Sequence, residues 1–209
     1  SQHRHTSHLL GVFPYAQVTP EGTPELAEAA WKSMESRLCP EDNWEDTGWA
    51  RSLLLLYSAR LRKSAASHHL RSMQKELTHP NLLVMHPPTR GAGSFMEVYE
   101  LDGNTGLSMG IAEMLLQSHS GELRLLPCLP EEWDCGSVDG LLARGNVRVG
   151  IRWQEGRLEE ARFTAARQTL VSLEYKGMHR PLSLEAGVTE TVTGEFFISA
   201  GIERGEKQE

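Results

Sequence analysis

"TGWARSLLLLYSARL", residues 47–61, decides the fold of the first half of the chain. Read as a helix, its apolar residues run nearly all the way round, so no single stripe satisfies them and neighbours must cover it on several sides. This is an inner helix. Around it lie more one-sided stretches. "TPELAEAAWKSMESRL" (23–38) has Thr23 as cap, Pro24 at the first helical position and a stripe of Leu26, Ala30, Met34 and Leu38. "SAASHHLRSMQKELTH" (64–79) puts Ala66, Leu70, Met73 and Leu77 on one face, and "GLSMGIAEMLLQSH" (106–119) is again apolar almost throughout. Alternation of all-round and one-sided burial is what a double layer of helices needs. Between the last two, "HPNLLVMHPPTRGAGSFMEVYELDGN" (79–104) reads as a long loop punctuated by Pro and Gly, in which Asp102-Gly103-Asn104 forms a turn and Asn104 or Thr105 caps a helix starting near Gly106.

After about Gly121 the hydrophobic period changes from 3.6 to 2. "NVRVGIRW" (146–153) sets Val147, Val149, Ile151 and Trp153 on one face and Arg148 and Arg152 on the other. "QEGR" turns the chain, and "LEEARFTA", "LVSLEY", "LSLEA" and "FFISA" follow at hairpin spacing. The expected organisation is α then β: a helical domain over 1–120, a small antiparallel β-sandwich-like domain over 121–203 and a polar tail over 204–209. The joint "LRLLPCLPEEWDCGSVDG" (123–140) is too apolar for a flexible tether, which predicts rigid packing of the two halves.

Composition sets outer bounds. With 39% hydrophobic and 23% charged residues in 209, the chain is globular and not disordered. A net charge of −7 without a Lys/Arg stripe excludes a nucleic-acid footprint. The longest apolar run, Leu53 to Leu56, is far short of the roughly 18–20 residues of a membrane helix. Cys39, Cys128 and Cys135 fit no metal-ligand spacing and read as buried free thiols, which leans toward a reducing, cytoplasmic compartment. The start, "SQHRHTSHLLG", has neither an initiator Met nor a signal-peptide pattern, so the chain reads as the carboxy-terminal part of a longer polypeptide whose upstream part is its partner.

Two constellations carry chemistry. "HRHTSH" groups His3, His5 and His8 with Arg4. The spacing matches no familiar zinc site, so no metal and no cofactor is expected; the alternatives are hydrogen bonding to loop backbone or recognition of a polar ligand, where a planar guanidinium and neutral imidazoles suit sugar hydroxyls. In "YELDGNTG" (99–106), Asp102 near a helix amino end suits an acceptor or base, and the amide of Asn104 suits orienting a water or hydroxyl; an Asx turn is the plain alternative. Trp44, Trp49 and Trp133 are either sugar platforms or core, with core preferred for Trp133. Glu113, mid-helix among apolar residues, calls for a buried partner such as Arg or His.

Taken in order, "HRHTSHLLGVFP", "TGWARSLLLLYSARL", "NLLVMHPP" and "YELDGNTGLSMGIAEMLLQSHSGELRLLPCLPEEWDCGSVDGLLARG" resemble the end of glycoside hydrolase family 95, the inverting α-L-fucosidases, some of whose members act on α-L-galactosides. The resemblance implies that residues 1–120 are the last helices of an (α/α)6 barrel followed by a carboxy-terminal β domain. It implies that Asp102 works with upstream asparagines to activate water, that the general acid is an upstream Glu, and that Arg4 and His5 contact the fucosyl unit of a glycan; His3, from the same cluster, is a further candidate for sugar binding. The chain departs from the family pattern at Glu100, where Gln is usual, at Thr105, where Phe is usual, and at Glu45-Asp46, where Gly-Asp is usual. The rival expectation is a non-catalytic carbohydrate-binding or structural module.

Overall fold

Thr47 opens the inner helix with a side-chain cap: its hydroxyl accepts the Ala50 N–H at 3.2 Å at the head of α2 (Gly48–Arg60). In this computed structural model, which describes residues 3–39, 45–87 and 97–198, every residue of α2 except Trp49 is buried. Backbone contacts divide the chain into Ser1–Met114 and a second unit starting at Leu115, a few residues ahead of the expected Gly121.

In the first unit, α1 (Pro24–Arg37) buries Ala27 and Met34 and packs Ala30, Trp31 and Leu38 against the core of α2. Leu26 is 56% exposed, so the expected stripe is corrected by one residue around the helix. The Thr23 hydroxyl is spent on the preceding turn, accepting the Thr19 N–H at 3.0 Å, and caps nothing in α1. Helix α3 (Ala65–Glu76) buries Ala66, Leu70 and Met73, with Leu77 just beyond, as the periodicity requires.

The largest correction concerns α4 (Leu101–Leu115), which begins well before Gly106 and takes Asp102-Gly103-Asn104 into its first turn. Glycine is a poor helix former, costing about 1 kcal/mol against Ala, yet Gly103, Gly106 and Gly110 lie on one face and let α4 press onto α2. A Cβ at Gly103 would meet the Gly48 and Trp49 backbone, at Gly106 the side chain of Ser52, and at Gly110 that of Leu55. Close approach overrides the turn signal. The expected long loop also contains structure: β1 (Met85–His86) pairs antiparallel with β2 (Val98–Tyr99), while 88–96 lies outside the described residues.

Two ion networks lie inside this unit. Arg60 Nη2 donates to Glu113 Oε1 at 2.7 Å, both side chains being 5% exposed, which supplies the partner that Glu113 requires. The same guanidinium donates to the Val12 carbonyl and lies over the Phe13 ring. Arg51 joins Asp46 at 2.7 Å to His69 Nδ1 at 3.1 Å.

The second unit holds two four-stranded sheets. One, in the order β10-β7-β6-β5, comprises β5 (Gly136–Ala143), β6 (Val147–Gln154), β7 (Arg157–Ala165) and β10 (Thr189–Thr193), all antiparallel. Val147, Val149, Ile151 and Trp153 are buried and Arg148 and Arg152 exposed, as period 2 dictates. Positive φ at Glu155 and Gly156 builds the tight β6–β7 hairpin, and Lys176-Gly177 does the same for the next pair. The other sheet is β3-β4-β8-β9, from β3 (Leu116–Gln117), β4 (Leu123–Leu125), β8 (Thr169–Tyr175) and β9 (Met178–Leu184). Its β4–β8 pair is parallel, a departure from the all-antiparallel expectation that arises because the chain lays down β5 to β7 before returning. "FFISA" is also corrected: Gly194–Ile198 is a short helix, α5, which turns Phe197 toward the Tyr175 ring, 5.5 Å away. Cys39 and Cys135 are exposed and Cys128 half-buried, against the expectation of buried thiols. Among the described residues no helix is long and apolar enough to cross a membrane.

Candidate active site

The chemistry-bearing residues of the first unit lie in two groups, each bonded to α2 or to the residues just ahead of it. On one side runs His3-Arg4-His5-Thr6. Thr6 is buried, its hydroxyl 3.2 Å from the hydroxyl of Tyr57, a fully buried residue of α2 whose phenol is pushed up by burial. From α1, Arg37 Nη1 donates to the His3 carbonyl at 3.0 Å and the His5 carbonyl at 3.3 Å. The peptide on both sides of Arg4 is therefore fixed. Arg4 Nη1 donates to Glu45 Oε2 at 2.8 Å, the side chains being 20% and 33% exposed.

Two of these imidazoles, His5 and His8, are held toward neutrality. Burial, then the charges of Arg4 and His3, push His5 below its ordinary value, with Glu45 opposing. Burial and Arg37 do the same to His8, whose Nε2 sits 3.0 Å from Ser33 Oγ. His3 Nδ1 accepts the His5 N–H at 3.1 Å, and the two rings lie 5.0 Å apart. A neutral imidazole both donates and accepts, which is what a hydroxyl-bearing ligand needs.

On the other side lies Glu100. Its Oε2 accepts the Trp49 N–H at 2.9 Å, so a carboxylate sits on free N–H groups of the first turn of α2. Burial pushes the Glu100 carboxyl up and Asp102 adds to this, while the Trp49 and Gly48 N–H groups and His86 oppose it. Asp102 is exposed in the first turn of α4, with Oδ1 accepting the Gly103 N–H at 2.9 Å. Both ends of the Asn104 amide also bond main chain: its Nδ2 donates to the Leu82 carbonyl at 2.9 Å and its Oδ1 accepts the Val84 N–H at 2.7 Å. It staples the chain entering β1 to α4.

The two sides share a base. Glu45, which holds Arg4, is three residues ahead of Gly48, beside which Glu100 lies, a stretch that spans at most about 11 Å even when extended. Trp44 lies outside the described residues; Trp49 packs against the helical core, and the Trp133 carbonyl accepts Trp153 Nε1–H at 2.8 Å within the β unit. Among the described residues no three His, Cys, Asp or Glu side chains converge as a metal would require. Sequence reasoning missed Glu100 as a helix cap and Glu45 as the partner of Arg4; an acid two residues ahead of Thr47-Gly48 was the available signal.

Residues 1–115 match the family model of the glycosyl hydrolase family 95 catalytic domain, and residues 117–207 match that of the family 95 C-terminal domain. The chain is similar to Alpha-L-fucosidase 2 of Arabidopsis thaliana, with 33% identity over 88% of this chain and 22% of the relative. It is also similar to Probable alpha-fucosidase A of Aspergillus oryzae, at 26% identity over 85% of this chain and 26% of that protein. The chain thus spans about a quarter of the length of these curated relatives. Two adjoining family models, matched in order across a helical and a β unit, place the protein: it belongs to glycoside hydrolase family 95.

Proposed function

We propose that this chain is the carboxy-terminal part of an inverting α-L-fucoside hydrolase that releases L-fucose from glycans, its helices closing an (α/α)6 barrel with an upstream segment. Asp102 stands on the base side, Arg4, His5 and His3 bind the sugar, and the general acid comes from upstream. Inversion needs an acid on one face of the sugar and a base-activated water on the other, with carboxyls roughly 6.5 to 9.5 Å apart. The observation that supports this reading is that Arg4 bonds Glu45 while Glu100, two residues ahead of Asp102, bonds Trp49, so both groups touch the short stretch that opens α2, with the peptides on either side of Arg4 bonded by Arg37. The names of both relatives agree with it.

Hydrolysis of an aryl α-L-fucoside by the full-length polypeptide tests the reading. Asp102→Asn should lower kcat by about 10²- to 10⁴-fold, the range for loss of a general base, with the fold intact by circular dichroism. Proton NMR of the first-formed product should show inverted configuration. Unchanged turnover in the variant would remove Asp102 from the mechanism.

A cavity of about 600 Å³ in the β unit, lined in part by Tyr175, Lys176, Met178 and Glu195, favours one second reading, a carbohydrate-binding module without catalysis. Binding of L-fucose that persists in an Arg4→Ala/His5→Ala variant of an inactive full-length protein would support it.

A further inference from the structure

Arg4 and Glu45 form a half-exposed ion pair in which each partner is only partly used. One guanidinium nitrogen meets one carboxylate oxygen at 2.8 Å. Among the described residues, the remaining Arg4 donors, Glu45 Oε1 and the ring nitrogens of His5 make no further hydrogen bond. The pair is also pre-positioned, because Arg37 pins the carbonyls on both sides of Arg4. Burying the rest of either group without a partner would be unfavourable; leaving both at 20% and 33% exposure keeps donors and an acceptor facing solvent within one patch.

We propose that Glu45 is a sugar-binding residue: with Arg4 it clamps two neighbouring hydroxyls of the glycone, Glu45 accepting from one and Arg4 donating to the other. This rests on the reading of the first unit as part of the fucoside-hydrolase site. An ion pair with one free edge suits a vicinal diol, since each hydroxyl both donates and accepts and the two charged groups offer opposite halves of that exchange. The partial bond between the pair holds their spacing before the ligand arrives, which lowers the ordering cost of binding.

The test uses the full-length polypeptide and a set of aryl α-L-fucosides each lacking one ring hydroxyl. Glu45→Gln should raise KM for the parent substrate about 10- to 100-fold, the scale of a hydrogen bond to a charged acceptor, with kcat changed little. Against the one analogue that lacks the Glu45-bound hydroxyl, the variant and the wild type should have equal KM. A penalty of equal size on every analogue would mean that Glu45 only supports Arg4, and would overturn the proposal. An unchanged KM would overturn it too, and a lowered KM would show that Glu45 competes with the sugar for Arg4. Arg4→Gln separates the two levels: if it also leaves KM unchanged, the site itself has been misread, whereas a raised KM there with none for Glu45→Gln removes the clamp alone.

Discussion

The helical and β units use the same residue types for opposite purposes. In the helical unit Gly103, Gly106 and Gly110 let two helices touch, and in the β unit Gly145, Gly156 and Gly177 take positive φ in turns with open space around them. Charge divides in a similar way. The helical unit buries Arg51, Arg60, His69 and Glu113. The β unit buries the Arg124–Glu174 pair but leaves Arg152, Arg162, Glu159 and Asp139 paired on its surface. The difference is one of degree: the first unit commits several buried charges to fixing a geometry, while the second buries the Arg124–Glu174 pair and keeps these other pairs at its surface.

The sharpest way to break that comparison is Glu113→Ala. Removing one partner of a buried ion pair leaves Arg60 uncompensated and should cost about 3–5 kcal/mol in denaturant unfolding of the chain. Removal of a surface partner, Asp139→Ala, should cost under about 1 kcal/mol. Equal losses would erase the distinction. Next in size is the glycine contrast: Gly106→Ala drives a methyl into Ser52 and should cost about 1–3 kcal/mol by overpacking, with loss of turnover in the full-length polypeptide because α4 carries Asp102, the proposed base. Gly156→Ala meets no atom and strains only its own φ, costing about 1 kcal/mol and leaving kcat alone.

The smallest effect is a pH slope. Burial raises the Glu100 carboxyl above its ordinary value of 4.5, so the folded state binds more protons than the unfolded one. Stability from this group is present below pH 4.5 and is lost as pH rises through the raised value. Glu100→Gln should therefore gain stability relative to the wild type from about pH 4.5 upward, read as denaturation midpoints between pH 4 and 7. A difference independent of pH would show that Glu100 does not titrate in that window.

Much of this was legible in the amino acids. The all-round burial of α2 and the alternation of β6 follow from hydrophobic spacing alone, and Glu113 announced its partner by being charged in an apolar run. What was hidden is tertiary. Asp102-Gly103-Asn104 has the composition of a turn, and only the approach of α4 to α2 makes it the first turn of a helix. The bonds of the Asn104 amide to the backbone of Leu82 and Val84 leave no trace in side-chain pattern. Strand β5 hid because Gly136, Asp139 and Gly140 dilute its period, with a register shift between Val138 and Leu141. The Arg4–Glu45 contact joins positions 41 residues apart and is a property of the fold.

The Asn104 staple has an evolutionary corollary. Since its amide reads main chain at Leu82 and Val84, and β1 meets β2 just beyond, the stretch between His86 and Val98 departs from and returns to anchored points. Sequence change that keeps the Asn104 amide keeps the Asp102 helix tied to the chain entering β1. Descendants of this sequence are free to diversify beside Asp102 without re-inventing that tie.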